Sequence, residues 1–208
     1  MKTKLYLKWS FDNKKLKKTN TVSFNLPAIE SCPQAGICAT VCYATQGAYI
    51  YPNVKNARRF NFEYAKGKNM YVFASSLVSD LRNIKQTSIR LHDSGDFFDQ
   101  NYLNAWLNVM SHFPEKQFYA YTKSLHLDFS GKPNNFTLIQ SFGGKLDHLI
   151  QLDKPHSKIF NSEESRIKAG YCDGNINDSP AQRGELKIGL VYHGVKNLTE
   201  NQKERFAK

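Results

Sequence analysis

The sequence predicts one α/β domain built on a largely parallel sheet, a plan that also admits a partial or distorted (β/α) barrel. Three observations carry this prediction. Residues 87–124 read as strand, helix, strand, with a crossover long enough to set the two strands parallel. Helical and strand-like hydrophobic patterns alternate along most of the chain. The 208 residues contain no internal repeat and no composition break, so residues 1–208 are expected to form a single domain with a proper core.

Residues 4–11 alternate apolar and polar side chains well enough for a strand, and the basic stretch 12–19 reads as a turn. A second short strand covers 21–25, and Leu26-Pro27 ends it. From Pro52 the chain is helical, with Val54, Ala57, Asn61 and Tyr64 on one face and Gly67 as the stop. Met70, Phe73, Leu77 and Leu81 recur at helical spacing over 70–84 and read as core. The strand over 87–92 breaks at Asp93, Asp99 caps a helix that runs through His112, and 117–121 is the next strand. A strand over 136–142 ends at Gly143-Gly144. Segments 149–152 and 157–160, a short helix over 163–168 and a strand over 186–192 follow. Residues 171–184 read as a polar loop, and Thr199 as the cap of a charged terminal helix.

The chemistry centres on residues 31–49. Cys32, Cys38 and Cys42, three of the four cysteines, fall within eleven positions. Packing or a disulfide would be the plain explanation for thiols. Structural zinc prefers paired ligands two to four residues apart with a second pair elsewhere, and neither condition is met. An iron–sulfur cluster, most simply [4Fe-4S], tolerates looser spacing, because each thiolate binds a different iron. Three thiolates leave one iron open to a distant side chain, water or a small molecule. Cys172 is a candidate fourth thiolate or an incidental cysteine.

Polar residues gather at three predicted strand ends: Asp93-Ser94-Gly95-Asp96, Thr122-Lys123-Ser124, and Gly143-Gly144. In parallel sheets ligands bind beyond the carboxyl ends of strands, so these groups are expected to share a rim with the cysteine loop. Asp96 and Lys123 are the candidate catalytic residues, with Arg90, His92, Ser94, Gly95, Gly143 and Gly144 as candidate cofactor contacts. Each has a plainer reading. Asp96 caps a helix or closes a turn, Lys123 lies on the surface, His92 is a satisfied core histidine, and Gly143-Gly144 is an ordinary turn. Arg90 and His92 alternate with Ile89 and Leu91 and so share a face, on which Arg90 needs a partner if it is covered.

Residues 31–44 (Ser-Cys-Pro-Gln-Ala-Gly-Ile-Cys-Ala-Thr-Val-Cys-Tyr-Ala), 90–97 (Arg-Leu-His-Asp-Ser-Gly-Asp-Phe) and 118–124 (Phe-Tyr-Ala-Tyr-Thr-Lys-Ser) together resemble the bacteriophage gene product 88 family. The resemblance implies a phage protein acting in the bacterial cytoplasm, without implying a particular reaction. The Cys-Tyr-Ala ending is also similar, by analogy, to radical S-adenosylmethionine enzymes. Their cysteines are spaced by three and then two residues, against five and three here. That analogy implies S-adenosylmethionine at the open iron, Asp96 on ribose or amino groups, and Lys123 on a carboxylate or phosphate.

Twenty-nine Lys and Arg against 18 Asp and Glu give a net charge of +11, which favours a nucleic-acid or nucleotide-type partner. A host protein is the other partner considered. No apolar run is long enough to span a membrane, and the first residues lack a signal-peptide core, so a cytoplasmic, reducing location is expected. The rival functions are a non-catalytic nucleic-acid or host-protein binder with a closed structural metal site, and a zinc enzyme with three cysteines and a water.

Overall fold

The computed structural model describes residues 5–192. In chain order, β1 (Trp9–Ser10), α1 (Lys14–Lys17) and β2 (Thr21–Phe24) lead into a loop of short 3-10 turns at Ile37–Val41, Tyr43–Thr45 and Gly47–Ile50. There follow α2 (Pro52–Gly67), α3 (Met70–Asn83), β3 (Ser88–Leu91), α4 (Gln100–Ser111), β4 (Gln117–Thr122) and β5 (Phe136–Ser141). The chain continues as β6 (His156–Phe160), α5 (Glu163–Lys168), β7 (Cys172–Asp173), α6 (Ser179–Arg183) and β8 (Lys187–Val191).

All eight strands join one sheet in the order β1-β2-β3-β4-β5-β6-β8-β7, an open sheet and not a closed barrel. Only β1 is antiparallel to its neighbour. From β2 to β6 each strand is laid beside the one before it, so their carboxyl ends all reach the same edge. That winding turns every loop after these strands into part of one rim.

The two faces of the sheet differ. Ile89, Leu91, Phe118 and Ala120 point to the layer formed by α2, α3 and α4, where Phe24, Phe73, Tyr102 and Trp106 are fully buried. Each of these large side chains contributes on the order of 2–3 kcal/mol by leaving water. Asp99 Oδ1 accepts from the Tyr102 backbone N–H at 2.8 Å, so the predicted cap of α4 is present. On the opposite face Tyr119 and Ile139 pack with Ala181 of α6 and Ile188. Gln182 of α6 reaches across to Thr21 Oγ1 (2.9 Å) and Ser88 Oγ (2.7 Å), tying that cover to the sheet.

Several sequence expectations are corrected. The strand expected over 4–11 shrinks to two residues, because helix side chains take its backbone donors. Asp80 accepts from the Tyr6 and Leu7 N–H groups at 2.7 and 2.9 Å, and Asn61 accepts from Lys8 N–H at 2.9 Å. The basic turn contains a helical turn, α1, capped by Asn13. Segment 149–152 joins no strand; it follows a 3-10 turn at Asp147–Leu149 and is held by Gln140–Gln151 hydrogen bonds. The buried face of α2 is Asn61, Phe62 and Ala65, shifted one step from the expected stripe. The polar loop 171–184 carries a parallel edge strand and a helix. Thr199 lies outside the described residues.

Asp80 also accepts from Trp9 Nε1 at 2.8 Å, so one buried carboxylate holds three donors of the amino-terminal segment. Replacing Asp80 with Ala orphans all three. The expected loss of unfolding free energy is about 3 kcal/mol by denaturant titration, with a smaller loss for Asp80→Asn, which keeps an acceptor.

Candidate functional site

The cysteine loop leaves β2 and folds back over the rim by backbone contact. Cys38 N–H donates to the Gly143 carbonyl at 3.0 Å, and Lys145 N–H donates to the Gln34 carbonyl at 3.0 Å. These bonds require close approach between two main chains. A Cβ on Gly36 would stand 2.6 Å from the Gly144 carbonyl carbon, and one on Gly95 would stand 2.6 Å from Ser31 Oγ and Leu26 Cβ. Gly95 and Gly143 also hold φ of +90° and +93°, a region that favours glycine. Ser31, fully buried, locks the loop's first turn by donating to the Pro27 carbonyl at 2.6 Å.

Docked in this way, the loop roofs a cavity of about 450 Å³. Cys32, Cys38 and Cys42 line it together with Asp96, Lys123 and Ser141. Its far end carries Arg90, Lys15, Asp93 and Asn175, and Ile159, Leu190 and Tyr192 give it an apolar wall. The expected shared pocket of thiols, Asp96 and Lys123 is therefore present as geometry. Burial, reinforced by Asp96, pushes the Cys32 thiol up to about 12, and burial raises Cys42 as well. Both are uncharged thiols unless a cation draws the proton away. Lys123 Nζ extends across the cavity and donates to Ser141 Oγ at 2.7 Å.

Among the described residues no three His, Cys, Asp or Glu side chains converge closely enough to hold one metal ion. Cys172 sits on β7 beside Tyr121 and is not among the residues lining the cavity.

The remaining predicted residues serve the scaffold more than an open site. Asp96 is buried, and its carboxylate accepts from Thr122 Oγ1 (2.6 Å), Phe97 N–H (2.8 Å) and Lys123 N–H (2.8 Å). It ties the end of β4 to the loop after β3, and burial raises its pKa despite these donors. Ser94 Oγ donates to the Leu26 carbonyl at 2.7 Å. The Gly143 and Gly144 N–H groups both donate to Asp147, at 2.9 and 2.8 Å, so these glycines admit the cysteine loop and do not offer donors to a ligand. His92 does not share a face with Arg90. Its backbone turns left-handed (φ +64°), and its Nε2 lies 2.9 Å from Tyr102 OH in the helix-side core.

Arg90 has the partner that its burial demands. Nη1 lies 2.7 Å from Asp178 Oδ2, and Nη2 lies 3.6 Å from Asp93. Lys15 Nζ is 2.7 Å from Asp178 Oδ1, and Tyr119 OH donates to Asp178 at 2.8 Å. Burial works against the Asp178 carboxylate, but Arg90 and Lys15 outweigh it and hold its pKa below the usual range. Asp93 in turn accepts from Tyr49 OH (2.9 Å) and Asn13 Nδ2 (3.1 Å), and its carbonyl accepts from Tyr43 OH. Sequence reasoning missed Asp178, Asp93, Tyr43 and Tyr49 as a unit. The signal available was the buried charge at Arg90, which calls for acids from elsewhere in the chain.

A family model, described as gene product 88, matches residues 4–207. The chain belongs to the gene product 88 family. Two curated relatives are the gene 88 proteins of Mycobacterium phage D29 and Mycobacterium phage L5. The first is 28% identical over 203 residues, covering 85% of each chain. The second is 27% identical over 207 residues, covering 85% of this chain and 84% of the relative. No solved structure matches. No helix among the described residues is long and apolar enough to cross a membrane.

Two predictions follow from this geometry. Gly36→Ala places a methyl against backbone that cannot yield, so the cysteine loop lifts from the rim; Cys38 should then alkylate several-fold faster while the melting transition stays cooperative. An unchanged alkylation rate would show that the close approach is not needed. Burial and Arg90 lower His92 from the ordinary 6.5 to about 3. Between those values the unfolded chain binds a proton that the folded chain does not. Stability from this group is therefore complete at neutral pH and falls by up to about 1.4 kcal/mol per unit as pH drops from about 6.5 toward 3. Asp96, raised by burial, contributes in the opposite sense. The His92 part is read from the difference between wild type and His92→Asn, a residue that tolerates the left-handed backbone.

Proposed function

We propose that this member of the gene product 88 family is an iron–sulfur protein, with Cys32, Cys38 and Cys42 as the ligands. With three thiolates, one iron would remain without a protein ligand. The observation that supports this most is the joint lining of a single cavity by three thiols, the number that leaves one iron of a cube without a protein ligand. The spacing of these cysteines suits a cluster, which distributes its thiolates over separate irons, better than the paired ligands of a structural zinc site. Cys172, the obvious fourth thiolate for a closed structural site, lies outside the cavity. When bound, such a cluster supplies electron transfer and, with S-adenosylmethionine as cosubstrate, radical chemistry.

The chain's own residues then have definite tasks. Lys123, steadied by Ser141, offsets the negative charge of the thiolates or of a ligand carboxylate. Asp96 is a positioning residue that fixes the Lys123 backbone, not a group that handles substrate. Arg90 Nε and Tyr121 OH are buried on lining residues without a protein partner, and suit an acceptor oxygen on a small ligand, S-adenosylmethionine or a nucleotide-containing substrate. Phage relatives are compatible with work in a host cytoplasm, where reduced thiols are the rule.

The test is metal analysis of anaerobically purified protein. Wild type should be brown and carry iron with inorganic sulfide; Cys32→Ala, Cys38→Ala and Cys42→Ala should each lose most of both, and Cys172→Ala should keep them. Colourless wild-type protein containing zinc, or full iron in any of the first three variants, would overturn the assignment.

A further inference from the structure

The outer side of the cysteine loop carries a second cavity, of about 420 Å³. It lies between residues 44–50 and the first half of α2. We propose that it seats single-stranded nucleic acid. The site is separate from the thiols and does not depend on a cluster being bound.

Charge is the first ground. Lys55, Arg58 and Arg59 line the cleft, against Glu30 as the one acidic lining residue. Lys55 is exposed and has no ion pair among the described residues. Arg59 is engaged by Glu30, and its Nε lies 3.9 Å from Glu63, so it is held at the cleft edge and remains about half exposed. Lys55 and, one turn further on, the adjacent Arg58 and Arg59 offer three cations along the cleft to a phosphodiester backbone.

The second ground is stacking. The Arg58 guanidinium carbon lies 4.4 Å from the centre of the Tyr49 ring, and Tyr49 is itself fixed by Asp93. A guanidinium that lines the cleft is thus held against an aromatic ring, and cation and ring together suit an unpaired base. Ile50 and Tyr51, beside it on the rim, are 48% and 59% exposed and add apolar and aromatic surface on which a base can rest. An acidic peptide would use the charge but not this platform. A duplex could touch the rim, but its paired bases could not enter the cleft.

The experiment is a salt titration of binding to a short fluorescent oligothymidylate, with the same sequence as a duplex and with the free mononucleotide as comparisons. Three neutralised phosphates predict a log–log slope of about −2, and Lys55→Ala should lower its magnitude by about 0.7 and weaken binding about fivefold at about 0.1 M salt. Glu30→Gln, which releases Arg59, should tighten binding. Lys168→Ala, a charge change on exposed α5, should alter nothing. Equal loss in Lys168→Ala, preference for duplex, mononucleotide binding as tight as the strand, or no binding at low salt would each overturn the proposal. Lys55→Ala protein should keep the iron and sulfide content of wild type, so failure here leaves the cluster reading standing.

Discussion

The site depends on main chain meeting main chain without side chains between. The cysteine loop has no strand or long helix of its own; it is a chain of 3-10 turns that a free segment would not keep. What fixes it is the pair of backbone bonds to residues 143–145 and the absence of Cβ atoms at Gly36, Gly95 and Gly144. The sheet supplies the other half of the constraint. Because β2 to β6 advance in one direction, the loop after β2 meets the loops after β3, β4 and β5 at one edge. Three thiols are thereby delivered to the same space as Asp96, Lys123 and Ser141, which are far from them in sequence.

Electrostatics then makes that space permissible. Arg90 and Asp178 are both buried, and an ion pair withdrawn from water returns in attraction little more than it loses in hydration. Removing one partner, by contrast, costs about 3–5 kcal/mol, since a bare charge remains. The pair therefore adds more to specificity than to stability. It joins the sheet to the start of α6, while Lys15 and Asp93 extend it to α1 and to Tyr43 and Tyr49 of the cysteine loop. Loop, sheet and cover are correct together or not at all.

How much of this could be read in the sequence varied with the range of the interactions. Cysteine density, helix periodicity in 70–84 and the Asp99 cap are local, and the structure reproduces the helix and the cap. The rim was legible too, because parallel winding follows from strand and helix order. Asp96 shows where reading stopped: a carboxylate after a strand looks available to ligand, and only coordinates reveal three internal donors on it. Gly143 and Gly144 misled in the same way, as their amides are taken by Asp147 four and three residues on. His92 was assigned to the wrong face because alternation ends where φ turns positive. β7 and α6 were hidden in a polar loop. There Pro180 in the first turn and Gly184 as a left-handed cap were the only marks of a five-residue helix.

Tyr49 gives the two cavities a common wall. With Ala28 and Ala44 it borders both, its hydroxyl bonded to Asp93 and its ring under Arg58. The outer cleft and the thiol cavity are thus one side chain apart at Tyr49. Burial, followed by the Asp93 charge, keeps the Tyr49 hydroxyl far above its ordinary pKa, so it remains a neutral donor and its bond to Asp93 does not loosen with pH near neutrality. The 3-10 turn at Gly47–Ile50 carries Tyr49 and so carries the wall between the two cavities. The firmly docked half of the loop carries Cys32 and Cys38, and the half held by side chains forms the wall.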